Sequence, residues 1–256
     1  MSLNSQPSRT WRTLAKRHLR GRVLNWHQHR DAQLLYALSG VMQVLTAQGQ
    51  WTVPPQRAVW IPPGIAHQVT ILSDTELRTL YLSASIDEDI DRKTQVVFAI
   101  TTSVLMRELM LTLFSPKCGA VIHERAIALL LSLIPIAQEL PNYLAMPSNP
   151  ALRRVALAVL ANRQWNVPIA HIANAARMTE RSFSRYFSAE VGMSFRAWMQ
   201  RARIIASLDR IVAGESCKSV ASILGFNSPS AFNAAFKQVI GDTPIKFLDF
   251  SPLATN

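Results

Sequence analysis

The sequence predicts an α+β chain of two domains: a β-barrel or sandwich with an antiparallel helix pair, then a wholly helical half. Three observations predict it. Between Gly21 and Ser85, short strand-like runs alternate with turn residues. From Gln95 to Leu140, two apolar stretches have helical length and composition. Beyond Pro150 the strand signals stop and every segment reads as helix. A chain of 256 residues can bury two modest cores.

Taken in order, residues 1–20 are Arg-rich and acid-poor, with Arg9, Arg12, Lys16, Arg17 and Arg20. They lack the apolar core of a secretion signal. A transit peptide has such a composition, but a solvated arm is the expected form. The barrel is expected over 21–85. "QLLYALSG" is a strand closed by Gly40, and "VMQVLTAQGQWTV" is a hairpin turning at Gln48-Gly49. "AVWIPPG" ends another strand.

Residues 95–140 form the expected helix pair, Gln95–Ser115 and Ala120–Leu140, joined by "SPKCG". Both are apolar on more than one face, which requires burial in the domain or against a second copy. Packing within the domain and dimerisation account for this equally, and a homodimer is among the expected assemblies. The most apolar run, Ala126–Leu140, is interrupted by Pro135 and falls short of the roughly 20 residues a bilayer span needs. No membrane partner is expected. Residues 141–150 hold three prolines and read as a linker.

The formal net charge is +11 and the sequence pI about 10.5. The excess is uneven: residues 1–148 carry +4, and the shorter span 149–256 carries +7. Such a balance points to a polyanion, nucleic acid before membrane. The two cysteines, Cys118 and Cys217, make neither a disulfide framework nor a thiolate zinc site. They suit a reducing cytosol.

The helical half contains an internal repeat. "IANAARMTERSFSRYFSAEVG" and "VASILGFNSPSAFNAAFKQVIG" each read as short helix, turn, and a helix carrying Phe-x-x-x-Phe. Phe183 and Phe187 match Phe232 and Phe236, 49 residues on. Thr179 caps the first of these helices and Ser228 the second, with Pro229 at its first position. This is a helix-turn-helix twice over. Phe183, Phe187 and Val191 face the core, while Arg181, Ser184 and Arg185 share another face suited to guanine edges and phosphates. The outward set of the second repeat is Ser230, Asn233, Ala234 and Lys237. Between the repeats, Ser194 to Gly214 predicts one helix about 30 Å long. That is close to the roughly 34 Å of one DNA turn.

The stretches "MTERSFSRYFSAEVGMSFRAWMQRARIIASLDRIVAG" and "SVASILGFNSPSAFNAAFKQVIGDTPIKF" resemble the AraC/XylS family of bacterial transcription regulators. The resemblance makes 151–256 an AraC-type DNA-binding domain. It implies major-groove contacts by Arg181, Ser184 and Arg185, and by Ser230, Ala231, Asn233 and Ala234. Ala234 stands where some members carry a base-reading Arg. Arg177 occupies the turn position that Gly225 holds in the second repeat.

In the N-terminal half, His27 and His29 share one face of a strand, and Gln33 keeps their parity. His67 follows Gly64 by three residues. The run Gly21-x5-His27-x-His29-x3-Gln33-x6-Gly40, with Pro62-x-Gly64-x2-His67, resembles the two motifs of the cupin barrel. Gln33 replaces the usual Glu. The resemblance implies a ligand pocket, with His27, His29 and His67 as candidate ligands for Zn²⁺, Fe²⁺, Mn²⁺ or Ni²⁺. Many regulatory cupins hold no metal, and their histidines line a pocket.

The expected function is ligand-responsive, sequence-specific transcription regulation without enzymatic activity. The expected partners are double-stranded DNA, a small-molecule effector and a second copy of the chain, with RNA polymerase a further candidate. The expected location is the bacterial cytoplasm, at the nucleoid. "QLLYALSG" and "VPPQRAVWIPPG" resemble a subgroup in which some members repress an adjacent gene for a drug efflux pump, nitroimidazole-type compounds among its substrates. Repression is expected before activation. Two rivals are a cupin-type metalloenzyme fused to a DNA-binding domain and a nucleoid binder without ligand control. Gln33 argues against the first by removing a carboxylate base. A steep salt dependence without sequence preference would mark the second.

Overall fold

A computed structural model describes residues 11–83, 95–140 and 143–249 of the chain. Two five-stranded antiparallel sheets build the N-terminal half. The first has the order β1 (Trp11–His18), β8 (Thr75–Leu82), β3 (Ala32–Ser39), β6 (Arg57–Ile61), β9 (Phe98–Thr101). The second has the order β10 (Tyr143–Ala145), β5 (Gly49–Val53), β4 (Met42–Thr46), β7 (His67–Ile71), β2 (Val23–His27).

Strand parity explains the packing. Leu35 and Ala37 of β3 meet Met42, Val44, Val69 and Ile71 between the two sheets. Leu34 and Tyr36, on the other face of β3, pack under α1 (Val104–Leu113) and α2 (Ala120–Leu133). The chain thus holds a cupin-like sheet domain with one outer face covered by a helix pair.

The helical half comprises α3 (Pro150–Asn162), α4 (Ile169–Ala175), α5 (Glu180–Val191), α6 (Phe195–Ile205), α7 (Leu208–Val212), α8 (Cys217–Ile223), α9 (Pro229–Ile240) and α10 (Pro244–Asp249). Phe183, Phe187, Phe232 and Phe236 are fully buried in one core that runs through both repeats. Burying each contributes about 1.5–3 kcal/mol.

Several elements differ from the sequence expectation. Residues 11–18 of the expected arm form β1, paired with β8 from Trp11↔Leu82 to His18↔Thr75. An edge strand carries basic side chains that deter further pairing, and so looks like a solvated arm in sequence. Within the expected helix 95–115, Phe98–Thr101 is a strand against β6, and the helix begins only after the Ser103 cap. A continuous apolar run does not distinguish buried strand from buried helix. The second helix stops at Leu133 rather than Leu140, just ahead of Pro135.

The expected linker contains β10, which pairs with β5 through Tyr143↔Trp51 and Ala145↔Gly49. A Cβ at Gly49 would collide with the Tyr143 ring and the Leu144 carbonyl, so this pairing requires glycine. The expected spacer helix breaks at Ala206-Ser207 into α6 and α7. The Ser207 hydroxyl donates to the Ile204 carbonyl at 2.6 Å, a back-bond that competes with the helical ladder. Eleven residues of α6 span about 16 Å, not 30 Å. Residues 1–10 of the arm, 84–85 of the barrel, 141–142 of the linker and 250–256 of the C-terminal domain lie outside the described residues.

Candidate nucleic-acid interface and histidine cluster

Each repeat orients its second helix by a cap and by buried phenylalanines. The Thr179 hydroxyl accepts the Ser182 N–H at 3.2 Å, and the Ser228 hydroxyl accepts that of Ala231 at 3.1 Å. With the Phe-x-x-x-Phe faces buried, the opposite faces stand outward. Arg181 and Arg185 are exposed beside half-buried Ser184 on α5. Ser230, Ala231, Asn233, Ala234 and Lys237 are exposed on α9. The turns before the two helices share one conformation, with φ of 56° at Arg177 and 71° at Gly225.

Two contacts on α5 carry no sequence signature. Arg185 donates from Nη2 to the Tyr186 hydroxyl at 3.1 Å, with its guanidinium 4.8 Å from the ring centroid. Glu190 accepts the backbone N–H groups of Ser148 at 2.7 Å and Asn149 at 2.8 Å. These bonds hold its carboxyl below the ordinary carboxylate range.

The three histidines converge. His67 pairs across strands with His27, beside a register shift in β2. The ring centroids lie 4.4 Å apart for His27–His67, 5.0 Å for His27–His29 and 5.7 Å for His29–His67. One ligand atom from each falls within 4.8 Å of the others. The Nδ1 atoms of His27 and His67 face the carbonyls of Asn25 at 2.6 Å and Ile65 at 2.9 Å. A carbonyl only accepts, so Nδ1 carries the proton and Nε2 presents a lone pair.

Nε2 of His67, Nε2 of His29 and the side-chain oxygen of Gln33 are buried with no hydrogen-bond partner among the described residues. Unpartnered polar atoms gathered in this way, with the Nε2 lone pair of His67 among them, suit a cation. Burial lowers the His67 pKa to about 4, so its ring is neutral at ordinary pH. Burial first, then His27 and Arg12, lower that of His29.

Gln33 faces the space between the sheets and is 4% exposed, at the register position of both Ile61 and Tyr81. Tyr81 packs edge-on to His29 at 5.1 Å, and Arg12 lies 3.5 Å over the Tyr81 ring. Neither residue had a motif to mark it. Trp51 and Trp60 are buried in separate cores, and Trp26 is exposed.

The halves touch through polar contacts. Arg153 of α3 donates to the carbonyls of Ala47 at 2.6 Å and Thr46 at 2.9 Å, in the β4–β5 hairpin. Trp198 and Arg201 of α6 each donate at 2.7 Å to β10, at the Ala145 and Tyr143 carbonyls.

Comparison with known proteins agrees with this architecture. Residues 13–130 match the AraC-like ligand binding domain, and residues 172–249 match a helix-turn-helix domain. The HTH-type transcriptional regulator NimR of Escherichia coli is 32% identical over 226 residues, covering 87% of this chain and 81% of that one. The HTH-type transcriptional regulator RipA of Corynebacterium diphtheriae is 28% identical over 102 residues, 40% of this chain and 30% of that one. Among solved structures, ToxT of Vibrio cholerae aligns over 96% of this chain and all of its own, at 15% identity and a TM-score of 0.41. By its two matched domains and its likeness to NimR, the chain belongs to the AraC family of helix-turn-helix transcription regulators with an AraC-like ligand-binding domain.

Proposed function

We propose that this regulator reads double-stranded DNA with the outward faces of α5 and α9 and is controlled by a small molecule at its sheet domain. The observation that carries the reading is the matched pair of capped helices. Each buries its phenylalanines and leaves Arg181, Ser184 and Arg185, or Ser230, Ala231, Asn233, Ala234 and Lys237, on the free side. Thr179 and Ser228, as caps, aim the two helix starts. With arginines on α5 and none among these α9 residues, α5 supplies base readout and α9 mainly grips backbone and shape. Nuclease footprinting on the gene's own upstream DNA tests this, with and without candidate effectors. A protected site lost on scrambling the sequence supports the reading, and uniform protection refutes it.

The histidine cluster is read as a sensor site that holds a divalent metal through Nε2 of His27, His29 and His67, with Gln33 beside it. A cation on three imidazoles supplies an open coordination position for an effector. The alternative, a metalloenzyme fused to a DNA reader, draws on the same cluster. Gln33 disfavours it because an amide is no general base. A turnover screen on zinc-loaded and iron-loaded protein separates the two.

The chain is further read as a cytoplasmic homodimer at the nucleoid that contacts RNA polymerase. Exposed Val104, Leu105, Val121 and Ile122 on α1 and α2 support the dimer. Among the described residues, no helix is long and apolar enough to cross a membrane. Repression of a neighbouring efflux-transporter gene is the proposed output, supported by the subgroup resemblance of "QLLYALSG" and "VPPQRAVWIPPG". Transcript levels of that gene in a deletion strain test it, a rise being expected.

A further inference from the structure

The second sheet has an outer face, and the helical half covers it incompletely. Met42, Val44, Trp51 and Val53 point into the inter-sheet core. Their alternates Gln43, Leu45, Gln50 and Thr52 therefore point outward. Between these side chains and α3, α6 and α7 lies a cleft of about 320 Å³. That volume is within the range of small-molecule pockets, and domain interfaces are a preferred place for them.

The walls of the cleft differ in chemistry. The sheet wall presents the amides of Gln43 and Gln50, and Gln50 is 6% exposed. The opposite wall presents Leu157 and Leu160 of α3, Ile205 of α6 and Trp165 of the turn after α3. Arg163 and Asp209 also line it, with opposite charges, so neither a cation nor an anion is selected. An amide offers both donors and an acceptor, and a buried amide favours a ligand that bonds it. An indole beside leucines favours a flat ring.

We propose that this cleft is a second effector site, on the opposite face of the sheet from the histidine cluster. Its ligand is an uncharged aromatic compound with hydrogen-bonding groups along one edge. The ring lies against Trp165 and Leu157, and the polar edge meets Gln43 and Gln50. Such a ligand touches both halves of the chain at once. It therefore binds the docked arrangement better than one in which Arg153 has left the hairpin, and that difference shifts the equilibrium between them.

The test uses the full chain and N-phenyl-1-naphthylamine, an uncharged aromatic amine that fluoresces when shielded from water. Saturable binding of one probe per chain is expected, and excess EDTA leaves it unchanged. Leu157, 36% exposed on α3, has room for a larger side chain. Leu157→Trp fills the cleft and weakens the probe by about tenfold or more. Gln43→Trp fills it from the sheet wall and does the same, so one misfolded variant does not decide the outcome. Binding that survives both substitutions, or that EDTA abolishes, overturns the assignment. The titration contains no DNA, so the cleft stands or falls independently of the proposed operator reading.

Discussion

Thr46 and His67 face each other across β4 and β7, and the Thr46 carbonyl accepts a hydrogen bond from Arg153 at 2.9 Å. On its other side His67 pairs with His27. A histidine of the cluster thus sits one strand from a residue held by the first helix of the DNA-binding half. If the cluster is coupled to DNA binding, Arg153 is the direct route. Coupling free energies between sites are about 1–3 kcal/mol. Zinc is expected to shift operator affinity in the native chain, read by fluorescence anisotropy. Arg153→Ala keeps zinc binding and loses most of that shift. An undiminished zinc response in Arg153→Ala would rule this route out.

The metal reading predicts stoichiometric zinc on the native chain, measured by competition with a chromophoric chelator. His67→Ala removes a ligand and weakens binding by about tenfold or more. Gln33→Glu restores a negative charge beside the cation and tightens it by about tenfold. Equal zinc affinity in all three proteins would place the metal elsewhere.

Arg185→Ala is expected to weaken specific operator binding by about 1–3 kcal/mol and to relax preference at one base position. Tyr186→Phe removes the hydroxyl that steadies the guanidinium and costs less, about 0.5–1.5 kcal/mol. Ala234→Arg adds a guanidinium to α9 and tightens binding or alters preference. Gel shifts on operator and scrambled DNA read all three. Equal losses on both DNAs would reduce Arg185 to a phosphate contact.

The paired turns allow a contrast in stability. Arg177 holds φ at 56°, a region that disfavours side chains by about 1–2 kcal/mol. Arg177→Gly should raise the melting temperature by a few degrees, since glycine's greater freedom when unfolded offsets only part of that gain. Gly225→Ala should lower it. Its φ is 71°, and a Cβ there would lie 2.7 Å from the Asn166 side-chain nitrogen. Thermal unfolding of the two variants checks the pair, and an unchanged Gly225→Ala would mean the turn relaxes freely.

Glu190 ties α5 to the start of α3, and the tie depends on its charge. Its folded pKa lies below the ordinary value of 4.5, so the unfolded chain binds the proton more readily. The contribution is present above pH 4.5 and fades as pH falls through the folded value. Glu190→Gln should therefore destabilise the protein at neutral pH and lose that effect in acid. A constant difference across a pH series of urea melts would contradict this.

The two helix-turn-helix units rest on short-range spacing and were legible. The histidine set was legible as two motifs but not as one strand face, since β2 ends at His27, His29 lies in the connection beyond it and Gln33 belongs to β3 of the other sheet. Phe183 and Phe187 repeat at a helical interval, and Thr179 and Ser228 satisfy N–H groups three residues on. His27, His29, Gln33 and His67 sit in two compact phrases. β1, β9 and β10 were not legible. Arg12 and Lys16 resemble a solvated arm until β8 lies beside them, and the 95–101 run suits a buried strand or a buried helix equally well. Tyr143 lies in a proline-rich phrase and becomes a strand only because Gly49 leaves room for its ring.

By itself, then, the sequence determined the two-part architecture, the repeat and the identity of the candidate ligands, each through motifs that are individually compact in the chain. Only the tertiary structure decided that β10 joins the sheet, that the spacer helix breaks at Ser207 and that Arg153 grips the hairpin. It also decided that Tyr81 borders His29 and that a cleft remains behind Gln50. Each depends on residues far apart in the chain meeting in space, and local periodicity carries no record of such meetings.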